Sequence, residues 1–139
     1  MNEVTLVFVD SNVVIDITSR DPKWEAWSAR QIEAFAGRLA INPVIYAELC
    51  FPLPSAEDAD DLIAYLGLKY REFSRESLFL AAQAYRIYRQ RGGTKTSPLP
   101  DFFIGAHAAA LGVPIITRDV ARYQTYFPGV TLISPPIHH

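Results

Sequence analysis

The chain has 139 residues, half of them apolar and a fifth charged, enough for one domain with a hydrophobic core over residues 1–139 and too few for two. Thirteen basic against fifteen acidic side chains give a formal net charge of -2, which excludes a broad cationic surface of the kind that coats DNA and leaves room for a local basic patch. One cysteine, Cys50, rules out an intramolecular disulfide, and no basic, apolar, cleavable leader is visible, so the expectation is a soluble cytoplasmic protein without a membrane anchor.

The apolar run Val4 to Val9 predicts a strand buried on both faces. Asp10-Ser11-Asn12 follows it, and Val13 to Ile17 predicts a short helix against the β-branched character of its residues. Asp21-Pro22 has the form of an N-cap with proline at the first helical position. It opens a helix that carries Trp24, Trp27, Gln31 and Phe35 and ends at Gly37. Arg38 to Asn42 predicts a second strand, and Asn42-Pro43 repeats the cap-plus-proline entry into "VIYAELC". Ser55 with Asp58 is a capping-box pair for a helix to Leu66. "LKYREF" is the third strand. From Ser74 a longer helix carries Leu78, Ala81, Ala82, Tyr85 and Tyr88, with Arg86, Arg89 and Arg91 at its negative end before Gly92-Gly93. After the loop "GGTKTSPLP", Pro100-Asp101 begins an alanine-rich helix to Gly112. The apolar stretch Phe102 to Ile116 is broken by His107 and Pro114, too short to span a bilayer. "VPIIT" and "VTLIS" are the fourth and fifth strands. His138 and His139, after Pro135-Pro136, have the composition of a purification-tag remnant. Strands alternating with helices predict an α/β fold with a mainly parallel sheet.

In such sheets ligands bind beyond the carboxyl ends of the strands. Asp10 follows the first strand, Asp119 the fourth, Glu48 sits early in the helix after the second, and Asp101 in the first turn of another helix. All four therefore belong to one sheet edge. Each also has a local explanation. Asp101 is a favourable first-turn acid, Asp10 and Asp119 are ordinary turn or cap types, and only Glu48, flanked by Ala47, Leu49, Cys50 and Phe51, lacks an easy one. Two unit charges about 4 Å apart repel by about 4 kcal/mol at an effective dielectric near 20. Four converging carboxylates thus require cations, and oxygen ligands without His or Cys indicate Mg²⁺ (or Mn²⁺) rather than zinc. Phosphodiester cleavage is the chemistry that commonly follows.

The segments "FVDSNVVID", "INPVIYAEL", "PLPDFFIGAHAAALGVPIITRD" and "YFPGVTLISP", in that order, resemble the PIN-domain ribonucleases, above all the VapC toxins of toxin–antitoxin pairs. The resemblance implies a three-layer α/β/α fold with a five-stranded sheet in the order 3-2-1-4-5. It implies that Asp10, Glu48, Asp101 and Asp119 form an acidic catalytic metal site, with Asn12 and Thr117 supporting it. It further implies Mg²⁺- or Mn²⁺-dependent hydrolysis of RNA to a 5′-phosphate and a 3′-hydroxyl, a homodimer, and a small antitoxin partner. Within the family a housekeeping RNA-processing nuclease and a non-catalytic interaction module are the alternatives.

RNA requires cationic side chains along its backbone and often aromatic faces for its bases. Arg86, Arg89, Arg91 and Lys95 interleave with Tyr85 and Tyr88 upstream of Asp101, and Arg118 and Arg122 lie beside Asp119. For the first group a basic helix end and an RNA contact stand level. The tyrosines, like Trp24 and Trp27, read first as core or interface residues. His107 reads as a satisfied buried histidine and Cys50 as a small core residue. An aspartyl-phosphate phosphatase would place a second carboxylate where Asn12 stands, a receiver domain would want an aspartate after the third strand, and a serine hydrolase would show G-x-S-x-G.

Overall fold

A computed structural model describes residues 5–136. His138 and His139 lie outside them, as does Val4. The first strand, β1 (Val7–Val9), is fully buried along its length, the property its continuous apolar run predicts, and it is shorter than that run at its amino end. It feeds helix α1 (Ser11–Thr18), which is capped by Asp10 rather than by Ser11 or Asn12: the Asp10 carboxylate accepts from the Ser11 N–H at 2.8 Å. Helix α2 (Glu25–Ala34) starts later than the Asp21-Pro22 pair suggests. Asp21 Oδ1 accepts from the N–H groups of Lys23 and Trp24, so its capping chemistry is spent on a turn ahead of the helix.

Strand β2 (Leu39–Ile41) leads into α3 (Pro43–Cys50), where the Asn42 side chain accepts from the Ile45 N–H at 2.9 Å. Helix α4 (Ala56–Leu66) has its capping box: Ser55 Oγ accepts from the Asp58 N–H and donates to the Asp58 carboxylate. The edge strand β3 (Lys69–Tyr70) has only two residues, and α5 (Arg75–Gln90) is capped by Ser74. Its buried residues are Ser77, Ala81 and Ala84; Leu78 and Ala82, expected on the inner face, are exposed. Small side chains face α6 (Pro100–Leu111), letting the two helices approach closely. Then come β4 (Ile115–Ile116), α7 (Ala121–Tyr126) and β5 (Leu132–Ile133). Helix α7 is absent from the sequence reading.

The five strands are all parallel, in the order β3-β2-β1-β4-β5, with helices flanking the sheet as in an α/β/α sandwich. Phe8 pairs with Ala40 on one side and Ile115 on the other, so β1 holds the centre. The chain works outward from β1 through β2 to β3, then returns to lay β4 on the free side of β1. The crossover reverses direction there, and β1 and β4 open a crevice at their carboxyl ends. Helix α6 serves two apolar clusters. Ile104 and Ala108 join the main core of β1, β2, β4 and α1, and Phe102 and Ala106 pack with Ala81 and Ala84 of α5. Among the described residues no helix is long and apolar enough to cross a membrane.

Candidate active site

The crevice between β1 and β4 receives the four acids with graded exposure: Asp10 is buried, Glu48 and Asp101 are half-buried, and Asp119 is exposed. Asp10 is held by three donors. Oδ1 accepts from the Ser11 N–H; Oδ2 accepts from Thr117 Oγ1 at 2.9 Å and from the Tyr123 hydroxyl at 2.9 Å. Burial still pushes its carboxyl up against these hydrogen bonds, with the Asp119 charge adding to the effect.

Glu48 reaches the crevice from the last turn of α3 rather than from the early position the sequence predicts, and Ser11 Oγ donates to its Oε1 at 3.2 Å. Of its apolar flank only Leu49 is buried; Ala47 and Phe51 face solvent, so Ser11 rather than apolar surroundings fixes this side chain. Partial burial and the charges of Asp10 and Asp101 push its carboxyl up. Asp101, in the first turn of α6, is pushed up to about 6 by burial and by Asp10 and Asp119, against the pull of Arg122. The Arg122 guanidinium lies 3.7 Å from Asp101 Oδ2.

Thr117 and Asn12 tie the crevice together. The Thr117 hydroxyl accepts from the Asp119 N–H at 3.1 Å and from Asn12 Nδ2 at 3.4 Å while donating to Asp10. Asn12 Oδ1 accepts from the Arg118 N–H. The two residues thus join the turn after β1 to the turn after β4.

The donor set is wholly oxygen, which fits a hard cation. Among the described residues no three acidic, histidine or cysteine side chains stand preassembled as a metal cage. His107 has no part in the donor set: buried between Phe8 and Phe73, it hydrogen-bonds through Nδ1 to Asn42 at 3.2 Å, and desolvation pushes its pKa down.

The cationic residues divide. Arg118 is committed to Asp16, with Nε at 2.5 Å and Nη2 at 2.8 Å, and it stacks 5.1 Å from the Trp24 ring. Arg89 donates to the carbonyls of Gly93 and Lys95, and Arg91 lies over the Tyr126 ring. The Tyr85 hydroxyl donates to the Lys95 carbonyl, and the Tyr88 hydroxyl accepts from the Lys95 N–H. These contacts fold the loop after α5. Arg86 and the Lys95 side chain face solvent. An open cleft of about 440 Å³, lined by Tyr88, Asp101, Asp119, Arg122, Thr125 and Tyr126, runs from the acids along α7. Cys50 is half-buried at the end of α3, and Trp27 packs on the main core.

Residues 7–127 match the family model described as PIN domain. The chain belongs to the PIN-domain family. No curated protein sequence matches it. Its fold is similar to that of VapBC2 from Rickettsia felis, solved bound to a DNA fragment from its promoter, at 18% identity and a TM-score of 0.69, covering 92% of this chain and 97% of that one. FitAcB from Neisseria gonorrhoeae aligns at 18% identity and a TM-score of 0.68 over 93% and 97%. A toxin–antitoxin complex from Klebsiella pneumoniae aligns at 20% and 0.66 over 91% and 96%.

In this PIN domain three site residues have roles that the sequence does not predict: Ser11 holds Glu48, Tyr123 holds Asp10, and Arg122 faces Asp101 as well as lying near Asp119 in the chain. The available signal was the spacing of Val120, Tyr123 and Phe127, three and four apart, which marks a helical face just beyond a strand-end acid.

Proposed function

We propose that this PIN domain is a metal-dependent endoribonuclease and the toxin of a toxin–antitoxin pair. The observation that carries the reading is the convergence of Asp10, Glu48, Asp101 and Asp119 at the crevice where β1 and β4 end, where burial first, and then the charges of Asp10 and Asp119, push Asp101 up to about 6. Such mutual repulsion is relieved by a divalent cation. Asp10 and Asp101 would hold it, with Glu48 and Asp119 completing its shell. When bound, Mg²⁺ or Mn²⁺ supplies the Lewis acidity for phosphodiester hydrolysis, with a 5′-phosphate and a 3′-hydroxyl as products.

The protein's own residues orient the reacting groups. Thr117 and Asn12 keep the two strand-end turns in register, and Arg122 offers a cation in the cleft for a substrate phosphate. Tyr88 and Tyr126, edge to face at 6.5 Å along that cleft, offer aromatic surface for unstacked bases. Arg86 and Lys95 extend the positive path beyond it. Toxin–antitoxin complexes among the solved structures of this fold support a small antitoxin as partner. The reading includes a second copy of the chain and a cytoplasmic location.

Incubation of purified protein with single-stranded and structured RNA tests the reading. Cleavage is expected with Mg²⁺ or Mn²⁺, none in chelator, and a loss of about 100-fold or more in Asp10→Asn. Cleavage that persists undiminished in Asp10→Asn, or protein that cuts no RNA under any metal condition, would reject it.

A further inference from the structure

Asp10 has little freedom left. An ionised carboxylate offers about four acceptor positions, and three are filled: one on Oδ1 by the Ser11 N–H, both on Oδ2 by the hydroxyls of Thr117 and Tyr123, each at 2.9 Å. Thr117 Oγ1 accepts from the Asp119 N–H and lies within reach of Asn12 Nδ2, and its hydrogen goes to Asp10 Oδ2 at 2.9 Å in preference to the more distant Asp119 carbonyl at 3.3 Å. The direction of the Tyr123 hydrogen bond is equally fixed. This side chain is 1% exposed, and its hydroxyl faces a carboxylate that only accepts.

We propose that Tyr123 is a positioning residue for cation choice: with Thr117 it closes Oδ2, leaves Asp10 a one-oxygen ligand through Oδ1, and so selects a small octahedral cation over a larger one. The inference rests on the metal reading given above. Ca²⁺ accepts bidentate carboxylates in loose shells of six to eight oxygens, whereas Mg²⁺ demands near-octahedral geometry with single oxygens at short range. A carboxylate pinned on one oxygen cannot offer the bidentate bite. Thr117 is tied to the backbone of Asp119, so the turn that supplies one acid also fixes the other. Tyr123 adds the second lock from α7, and its ring is anchored independently in the main core. Removing the hydroxyl alone therefore frees one of the two positions on Oδ2 while leaving the packing in place.

The test is the binding of Mn²⁺ to the metal-free protein, followed by electron paramagnetic resonance of the free ion, with Ca²⁺ as competitor. Wild type is expected to bind Mn²⁺ and to resist displacement by Ca²⁺. In Tyr123→Phe the ratio of Ca²⁺ to Mn²⁺ affinity is expected to rise about tenfold or more, the weight of one hydrogen bond to a charged group. Thr117→Val, which opens the same oxygen, should move the ratio in the same direction, and Thr117→Ser should restore it. The Thr117 pair carries the test alone if Tyr123→Phe does not fold. If wild type binds Mn²⁺ and the ratio stays within twofold across these variants, the role of Tyr123 is overturned and the metal site stands. If wild type binds neither ion, the metal reading falls and this inference with it.

Discussion

At the scale of single residues the site stores its own instability. An unfolded aspartate titrates near 3.9, and burial with the charges of Asp10 and Asp119 raises Asp101 to about 6. The folded chain holds that proton more tightly than the unfolded one. The stability contributed by protonated Asp101 is therefore full below about pH 4 and lost as pH rises through about 6. Asp10 and Glu48 are shifted the same way. Asp101→Asn keeps the shape and removes the charge. In chelator at pH 7.5 its melting temperature is expected to exceed that of wild type by roughly 2–5 °C, with a shallower fall between pH 5 and pH 7.5, while RNA cleavage disappears. A variant less stable than wild type at pH 7.5 would show that Arg122 holds Asp101 more strongly than burial and its neighbours strain it. Wild type should recover the deficit on adding Mn²⁺, since an ion bound only by the native state stabilises it.

At the scale of elements, one ion pair joins helices α1 and α2 to the turn after β4. The Asp16 side chain is 4% exposed and takes both nitrogens of Arg118 together with the Ser28 hydroxyl. Removing Arg118 leaves a buried carboxylate with one neutral donor, a change expected to cost about 3 kcal/mol. Urea melts of Arg118→Met should register this loss in the absence of RNA, with most of it recovered in the Asp16→Leu, Arg118→Met double variant. A loss seen only as weaker RNA affinity, with the urea midpoint unmoved, would return Arg118 to the substrate path suggested by its place beside Asp119. The arginines after α5 follow the same logic. Arg89 and Arg91 are occupied in closing a loop and covering Tyr126, and Arg86 has the exposure that a nucleic-acid contact needs.

At the scale of the whole molecule, α6, which carries Asp101, and α7, which carries Arg122 and Tyr123, meet across one glycine. A Cβ on Gly105 would lie 2.3 Å from Phe127 Cδ2, the ring immediately after α7. Gly105→Ala gains helix propensity, about 1 kcal/mol, and pays for it with a displaced aromatic ring in a packed layer, about 1–3 kcal/mol. A net destabilisation in urea is expected, together with weaker Mn²⁺ binding, because the same displacement moves the helix that carries Arg122 and Tyr123. Unchanged stability and unchanged Mn²⁺ affinity would mean that Phe127 swings aside freely and that the two helices are not coupled there.

The sequence by itself determined the succession of strands and helices, the fully buried centre of the sheet, the caps at Asn42 and Ser55, and the placing of Asp10, Asp101 and Asp119 where strands end and a helix begins. These are local properties: continuous burial, cap chemistry and the position of a charge within a turn can be read within a few residues. The shifted inner face of α5 and the commitments of the cationic residues were decided only by tertiary structure. The fate of each carboxylate oxygen belongs with them. Asp10 meets Thr117 and Tyr123 across 107 and 113 residues of chain, and Asp16 meets Arg118 across 102. Side-chain lone pairs are filled by neighbours in space, and no periodicity along the chain records which hydroxyl will fill them.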